Sequence, residues 1–166
     1  MKKIYFTIAA IGFSLCASTA TAQVRDKSFK DWITYTTKID GKTLCYIASF
    51  PVSKTGNYTK RDDPYFIVTS LGKAQDEVSL SSGYPYKDNS KIQVTIEGGK
   101  THYLSLVKGD NAWTKDARID KDLISEIKHK AFMNVKGTSN KGTYSVDRYS
   151  LSGFSAAYDR MKELCK

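Results

Sequence analysis

Hydrophobic and polar residues alternate along much of this chain with the two-residue period of β-strands. The clearest case is residues 91–97, where Ile92, Val94 and Ile96 share one face and polar side chains occupy the other. Such alternation is typical of a strand in a sheet with one buried face. Runs rich in β-branched and aromatic residues predict five more strands, at residues 43–50, 65–71, 101–107, 132–136 and 143–149.

Turn-forming residues separate these runs at intervals of about 8 to 14 residues, a spacing typical of β-sandwiches and barrels. Gly98-Gly99 is the clearest hairpin signal and predicts that residues 91–97 pair with residues 101–107. The predicted fold class is therefore mainly β, an antiparallel β-sandwich or barrel.

Two segments follow a helical pattern instead, and the second is at the C-terminus. Residues 119–131 carry a hydrophobic stripe, and Asp120 is the predicted N-cap. Residues 152–165 have an apolar face that includes Cys165 and a polar face on the opposite side. Both apolar stripes indicate packing against the sheets.

The N-terminus has the three parts of a secretory signal peptide. Lys2 and Lys3 precede an apolar run over residues 4–17, and Ala20-Thr21-Ala22 supplies a cleavage site. An uncleaved membrane anchor is the alternative, but the run is shorter than the roughly 20 residues that a span requires. We expect residues 1–22 to be removed and residues 23–166 to form one exported domain. The periplasm is the favoured compartment, with the outer-membrane surface or secretion as alternatives.

Charge adds a weak indication of function. Without Lys2 and Lys3, 24 basic residues face 17 acidic ones, a net charge of +7. The basic residues are scattered, so they predict either a solvated surface or, if they cluster in space, a patch for an acidic surface component. Nucleic acid is disfavoured because the chain has no aromatic RNA-binding motif.

Two cysteines, Cys45 and Cys165, remain after the predicted cleavage. An even count in an oxidising compartment predicts a disulfide. A reactive or redox pair is the alternative, but the chain has no C-x-x-C motif that would support it. The predicted bridge would tie the C-terminal helix to a strand.

Several sequence blocks resemble one known family. They are the C-terminal run Tyr-Ser-Leu-Ser-Gly-Phe-Ser-Ala-Ala-Tyr at residues 149–158 with a terminal cysteine, Trp32 ahead of Cys45, Pro64 before residues 66–69, and residues 77–85, 111–113 and 133–139 followed by Asp147. In this order they are similar to the invasion-associated locus B family of exported alphaproteobacterial proteins. The resemblance implies export and a link to host-cell invasion, and it supplies no catalytic residues.

The sequence predicts no catalytic, cofactor-binding or metal-binding residues. The chain has two histidines, His102 and His129, and neither has a nearby Cys or His partner for a transition metal. The sequence contains no G-x-S-x-G, H-E-x-x-H or P-loop motif. A Ser-His-Asp triad assembled only in space remains the enzymatic alternative.

Tyrosines supply the candidate contact residues. Tyr84, Tyr86 and Lys87 lie in a turn-rich stretch around Pro85, where partial exposure is expected. Tyrosine is enriched at interfaces because it combines a large contact area with a polar tip. The alternative is that Tyr84 packs at the rim of the sandwich.

Together these observations favour a non-enzymatic envelope protein that acts in host-cell invasion by contact with a protein or an acidic surface. The alternative is a periplasmic accessory or chaperone-like factor that acts on the bacterial envelope itself.

Overall fold

A computed structural model describes residues 23–72 and 75–166. Within these residues, twelve strands and two helices follow one another. The strands are β1 (Val24–Phe29), β2 (Trp32–Ile39), β3 (Lys42–Ser49), β4 (Ser53–Gly56), β5 (Tyr65–Ser70), β6 (Asp76–Ser81), β7 (Ile92–Ile96), β8 (Thr101–Leu104), β9 (Leu106–Lys108), β10 (Asn111–Trp113), β11 (Phe132–Thr138) and β12 (Tyr144–Ser150). The helices are α1 (Ala117–Ile127) and α2 (Phe154–Leu164). The predicted cleavage site lies outside the described residues.

The strands form two antiparallel sheets. Seven strands pair in the order β1-β2-β3-β5-β6-β10-β9, and five pair in the order β4-β12-β11-β7-β8. The prediction of a mainly β fold is confirmed. Because neither sheet closes on itself, the fold is the sandwich of the two predicted alternatives. The Gly98-Gly99 hairpin is also present, with Thr95 opposite Thr101.

One predicted strand is divided between the sheets. Residues 101–107 were expected to form a single strand, but the chain crosses from one sheet to the other at Ser105. β8 is therefore an edge of the five-stranded sheet and β9 an edge of the seven-stranded sheet. This crossing connects the two layers along one side of the sandwich.

Aromatic side chains join the layers in a single core. Trp32 is fully buried, and its ring makes edge contacts with Phe66 on β5 and Phe154 on α2. Phe66 in turn contacts Tyr149 on the opposite sheet, with ring centroids 6.1 Å apart. The indole of Trp32 also donates a 3.0 Å hydrogen bond to the carbonyl of Ser150, so its polar group is satisfied.

The N-cap predicted for α1 is wrong. Asp116 caps the helix by accepting hydrogen bonds from the amides of Arg118 and Ile119, both at 3.1 Å. Asp120 is buried one turn further along, where it accepts a 2.9 Å hydrogen bond from the amide of Val78. Asp120 therefore attaches α1 to β6 instead of starting the helix.

The predicted bridge between Cys45 and Cys165 is present and anchors α2. It joins the buried centre of β3 to the residue that ends the helix, across a separation of 120 residues. α2 also packs against β1, β2 and β3 through its apolar face. Neither helix of the described region is long and apolar enough to cross a membrane.

Candidate anion-binding cleft

The predicted exposure of the tyrosine segment is wrong. Tyr84 and Tyr86 are only 8% and 4% exposed, and of the three candidate contact residues only Lys87 reaches solvent. The reason is an isolated bridge between Tyr86 and Ser139, which folds this turn-rich segment against β11. Two buried rings cannot form a docking surface.

Both tyrosine hydroxyls are used inside the protein. Tyr84 shares a 2.8 Å hydrogen bond with Ser145, and Tyr86 donates one of 2.8 Å to Ser82. Burial raises the pKa of each phenol, which keeps both neutral. Gly137 provides the space, because a Cβ at that position would lie 3.0 Å from the Tyr84 hydroxyl.

A buried ion pair lies beside these tyrosines. The guanidinium of Arg61 and the carboxylate of Asp147 make two hydrogen bonds, one of them 2.7 Å long, and their side chains are 3% and 0% exposed. Arg61 also donates to the carbonyl of Ser82 at 2.8 Å. The pair connects the loop before β5 to β12.

The two histidines do not meet. His102 on β8 shares a 2.7 Å hydrogen bond with Glu126 on α1, whereas His129 is exposed beyond the end of that helix. In residues 23–72 and 75–166 no three His, Cys, Asp or Glu side chains are grouped to hold a metal ion. His102 therefore has a structural role, because its hydrogen bond to Glu126 links α1 to the five-stranded sheet.

A cleft of about 680 Å³ lies between the helices and the start of β6. Its walls come from three elements that are far apart in sequence. It is lined by Gln75, Asp76, Ala117, Arg118, Lys121, Ile124, Ser125, Lys128, Tyr158 and Lys162. Four of these side chains are basic and one is acidic, so the cleft has an excess of positive charge.

The carboxylate of the acidic residue, Asp76, is already engaged by two neighbouring side chains. Asp76 accepts a 2.8 Å hydrogen bond from the ammonium of Lys162 and a 2.5 Å hydrogen bond from the hydroxyl of Tyr158. Burial, the hydrogen bond to Asp76 and its negative charge all raise the pKa of Tyr158, so the phenol remains a donor at neutral pH. These contacts also fix α2 against β6.

The other three cations belong to α1 and its C-cap. Arg118 and Lys121 are exposed, and neither they nor Lys128 forms an ion pair with any residue that the structure describes. Lys128 instead lies over the ring of Tyr158, with Nζ 3.9 Å from the centroid. We refer to Arg118, Lys121 and Lys128 as the cationic stripe.

Only the α1 wall of this cleft could have been predicted from the sequence. Arg118, Lys121 and Lys128 fall within a narrow sector of an ideal helix, which a helical projection of residues 117–128 would have revealed. The opposite wall could not be predicted, because Tyr158 and Lys162 reach Asp76 only through the packing of α2. The scattered basic residues therefore do gather in part, on one wall of a cleft.

Comparison with known proteins supports the fold. The family described as "Invasion associated locus B (IalB) protein" matches residues 32–162 of the chain. The crystal structure of invasion associated protein b from Bartonella henselae is similar, with a TM-score of 0.58 at 14% identity, and the match covers 85% of this chain and 97% of that one. At this identity the likeness shows the fold alone. No curated protein matches the chain.

Proposed function

The chain belongs to the invasion associated locus B family, and from that premise we propose that it is a non-enzymatic, exported envelope protein that acts in host-cell invasion by binding an acidic surface component. One observation carries the proposal beyond the family. Three cations without ion-pair partners in the described structure line a single cleft. A concave site in which several like charges converge attracts a ligand of opposite charge.

The chemistry of the cleft supports binding over catalysis. Ser125 is its one serine, and no histidine or cysteine is among its lining residues. A serine needs an adjacent base to become a nucleophile. Asp76 is the remaining carboxylate, and it is engaged by Lys162 and Tyr158.

A binding assay on host cells tests the proposal. Arg118→Gln, Lys121→Gln and Lys128→Gln together remove the cationic stripe, and the oxidised variant should bind host cells less than the wild type does. Lys42→Gln, Lys91→Gln and Lys108→Gln form the matched control, because these exposed lysines lie outside the cleft and the same charge is lost. Equal loss in both variants would mean that net charge, not the cleft, is responsible.

A periplasmic accessory factor is the second candidate. It is favoured by Phe50 and Val52, which are 50% and 54% exposed beside β4, an edge of the five-stranded sheet. Exposed apolar residues next to an open edge suit transient contact with other envelope proteins. Protease treatment of intact bacteria separates the two candidates: degradation supports contact with the host, and full protection supports the accessory role.

A further inference from the structure

We infer that the cleft between α1 and α2 binds an acidic peptide segment of a partner protein, an inference that rests on the proposed function and narrows its ligand class. The cationic stripe extends along the helix from Arg118 to Lys128, ten residues apart. At about 1.5 Å per residue this separation is roughly 15 Å. A single phosphate or carboxylate cannot contact both ends, whereas about five residues of extended chain span the distance.

The lining of the cleft adds an apolar component. Ala117 and Ile124 are among its lining residues, on the same helix as Arg118 and Lys121. A ligand that carries both acidic and apolar groups would satisfy both features. A peptide with acidic and apolar residues has this property, because one chain supplies both kinds of side chain.

Phosphate groups fit the cleft less well. The N-terminus of a helix is a common phosphate site because its amides are free to donate. In α1 the Asp116 carboxylate already accepts from the amides of Arg118 and Ile119. Its negative charge also opposes a phosphate at that end, so the side chains of the stripe remain as the available donors.

Sugar polymers and membranes also fit less well. The Tyr158 ring is stacked with Phe154, at a centroid distance of 5.9 Å, and lies beneath Lys128. It therefore presents no open aromatic face to a sugar ring. A lipid surface is broad and contacts convex surfaces, whereas these cations line a concave cleft.

The test uses a fluorescein-labelled peptide of eight alternating Glu and Leu residues, with a Gln-Leu peptide as the uncharged control. Fluorescence anisotropy with the purified, oxidised full-length protein should show binding of the Glu-Leu peptide alone. Substitution of the cationic stripe by Gln should weaken that binding about tenfold, since three charge contacts of ordinary strength are lost. The Lys42, Lys91 and Lys108 control should retain it, and melting curves should show that both variants are folded.

Heparin and phosphatidylglycerol vesicles distinguish failure of this inference from failure of the proposed function. If the stripe variant loses binding to heparin or to vesicles while the peptide never binds, the peptide assignment is overturned and an acidic ligand of another class occupies the cleft. If no acidic probe distinguishes the stripe variant from the control, both proposals are wrong.

Discussion

At the scale of single residues, the Arg61–Asp147 pair is a buried ionic contact outside the apolar core. Both side chains are almost completely removed from water. Removing ions from water is costly, and only a partner with well-formed hydrogen bonds offsets that cost. Asp147 has such a partner in the guanidinium of Arg61, which also holds the Ser82 carbonyl. The pair therefore fixes the loop before β5 to β12. Removal of either partner would leave the other as an unpaired buried charge, which would destabilise the fold.

Asp147→Asn should lower the free energy of unfolding by about 3–5 kcal/mol, because it leaves the buried cation of Arg61 without its counter-charge. Asp63→Asn is the matched control. It breaks an exposed ion pair with Lys54, in which the Asp63 side chain is 87% exposed, and should cost less than about 1 kcal/mol. Urea denaturation measures both, and equal effects would contradict the account of the buried pair.

The tyrosines and the helix cap show where residue-level prediction reaches its limit. Gly and Pro around Tyr84 and Tyr86 correctly indicated a turn, but not the bridge to Ser139 that buries it. Asp116 and Asp120 are four residues apart, and either could have capped α1 by its residue type. The choice depends on the amide of Val78, which needs Asp120 as its acceptor. Both errors come from contacts between segments distant in sequence.

At the scale of elements, each helix is attached to the sandwich by a small number of specific contacts. α1 is attached at one end through Asp120 and at the other through Glu126, which accepts hydrogen bonds from the His102 ring and the Lys100 amide. α2 is attached by its apolar face and by the disulfide. Because the cleft lies between these helices, its shape depends on both attachments.

The attachment of α1 should weaken in acid. The hydrogen bond from His102 is the main cause that lowers the pKa of Glu126 below its usual 4.5. A depressed carboxyl pKa stabilises the fold above the unfolded-state pKa, and that stabilisation is lost as the pH falls through the folded-state value. Melting temperature should therefore fall more steeply below about pH 4.5 in the wild type than in Glu126→Gln. Glu163→Gln, on the exposed side of α2, should retain the wild-type slope; identical slopes for all three proteins would contradict this.

The attachment of α2 should depend on the oxidation state of the protein. Breaking the Cys45–Cys165 bridge, which closes a loop of 120 residues, should cost a few kcal/mol and at most about 5. Hydrogen exchange should then increase first in α2, and peptide binding should weaken because Tyr158 and Lys162 line the cleft. Reduction and Cys165→Ser should have the same effect. Two free thiols in the native protein, or an unchanged melting temperature, would contradict this prediction.

The pattern of hydrophobic and polar residues predicted some secondary-structure elements and missed others. The strongly alternating Ile92–Ile96 and the two amphipathic helices were found within a few residues of their observed bounds. β1 was missed because almost all of its residues are exposed, which leaves no apolar alternation to detect. β4 was missed for the same reason, since its four residues are exposed and include no large apolar side chain.

At the scale of the whole molecule, the described residues combine a two-layer core with a charged cleft at the helices. The sandwich was predictable because the six predicted runs fall on seven of the twelve described strands, whereas the assignment of β8 and β9 to different sheets depends on a crossing at Ser105. The disulfide was predictable from the cysteine count together with the predicted oxidising compartment. The cleft was not, because it exists only where α1, α2 and β6 meet.

The most direct test of the account is a map of where an acidic peptide binds. Amide chemical shifts of the ¹⁵N-labelled, oxidised protein should be recorded while the Glu-Leu peptide is added. The largest shifts are expected in residues 117–128, in residues 158–162 and at Asp76, and they should be lost in the stripe variant. Shifts centred on any other surface, or shifts that persist in the stripe variant, would contradict the claim that this cleft is the binding site.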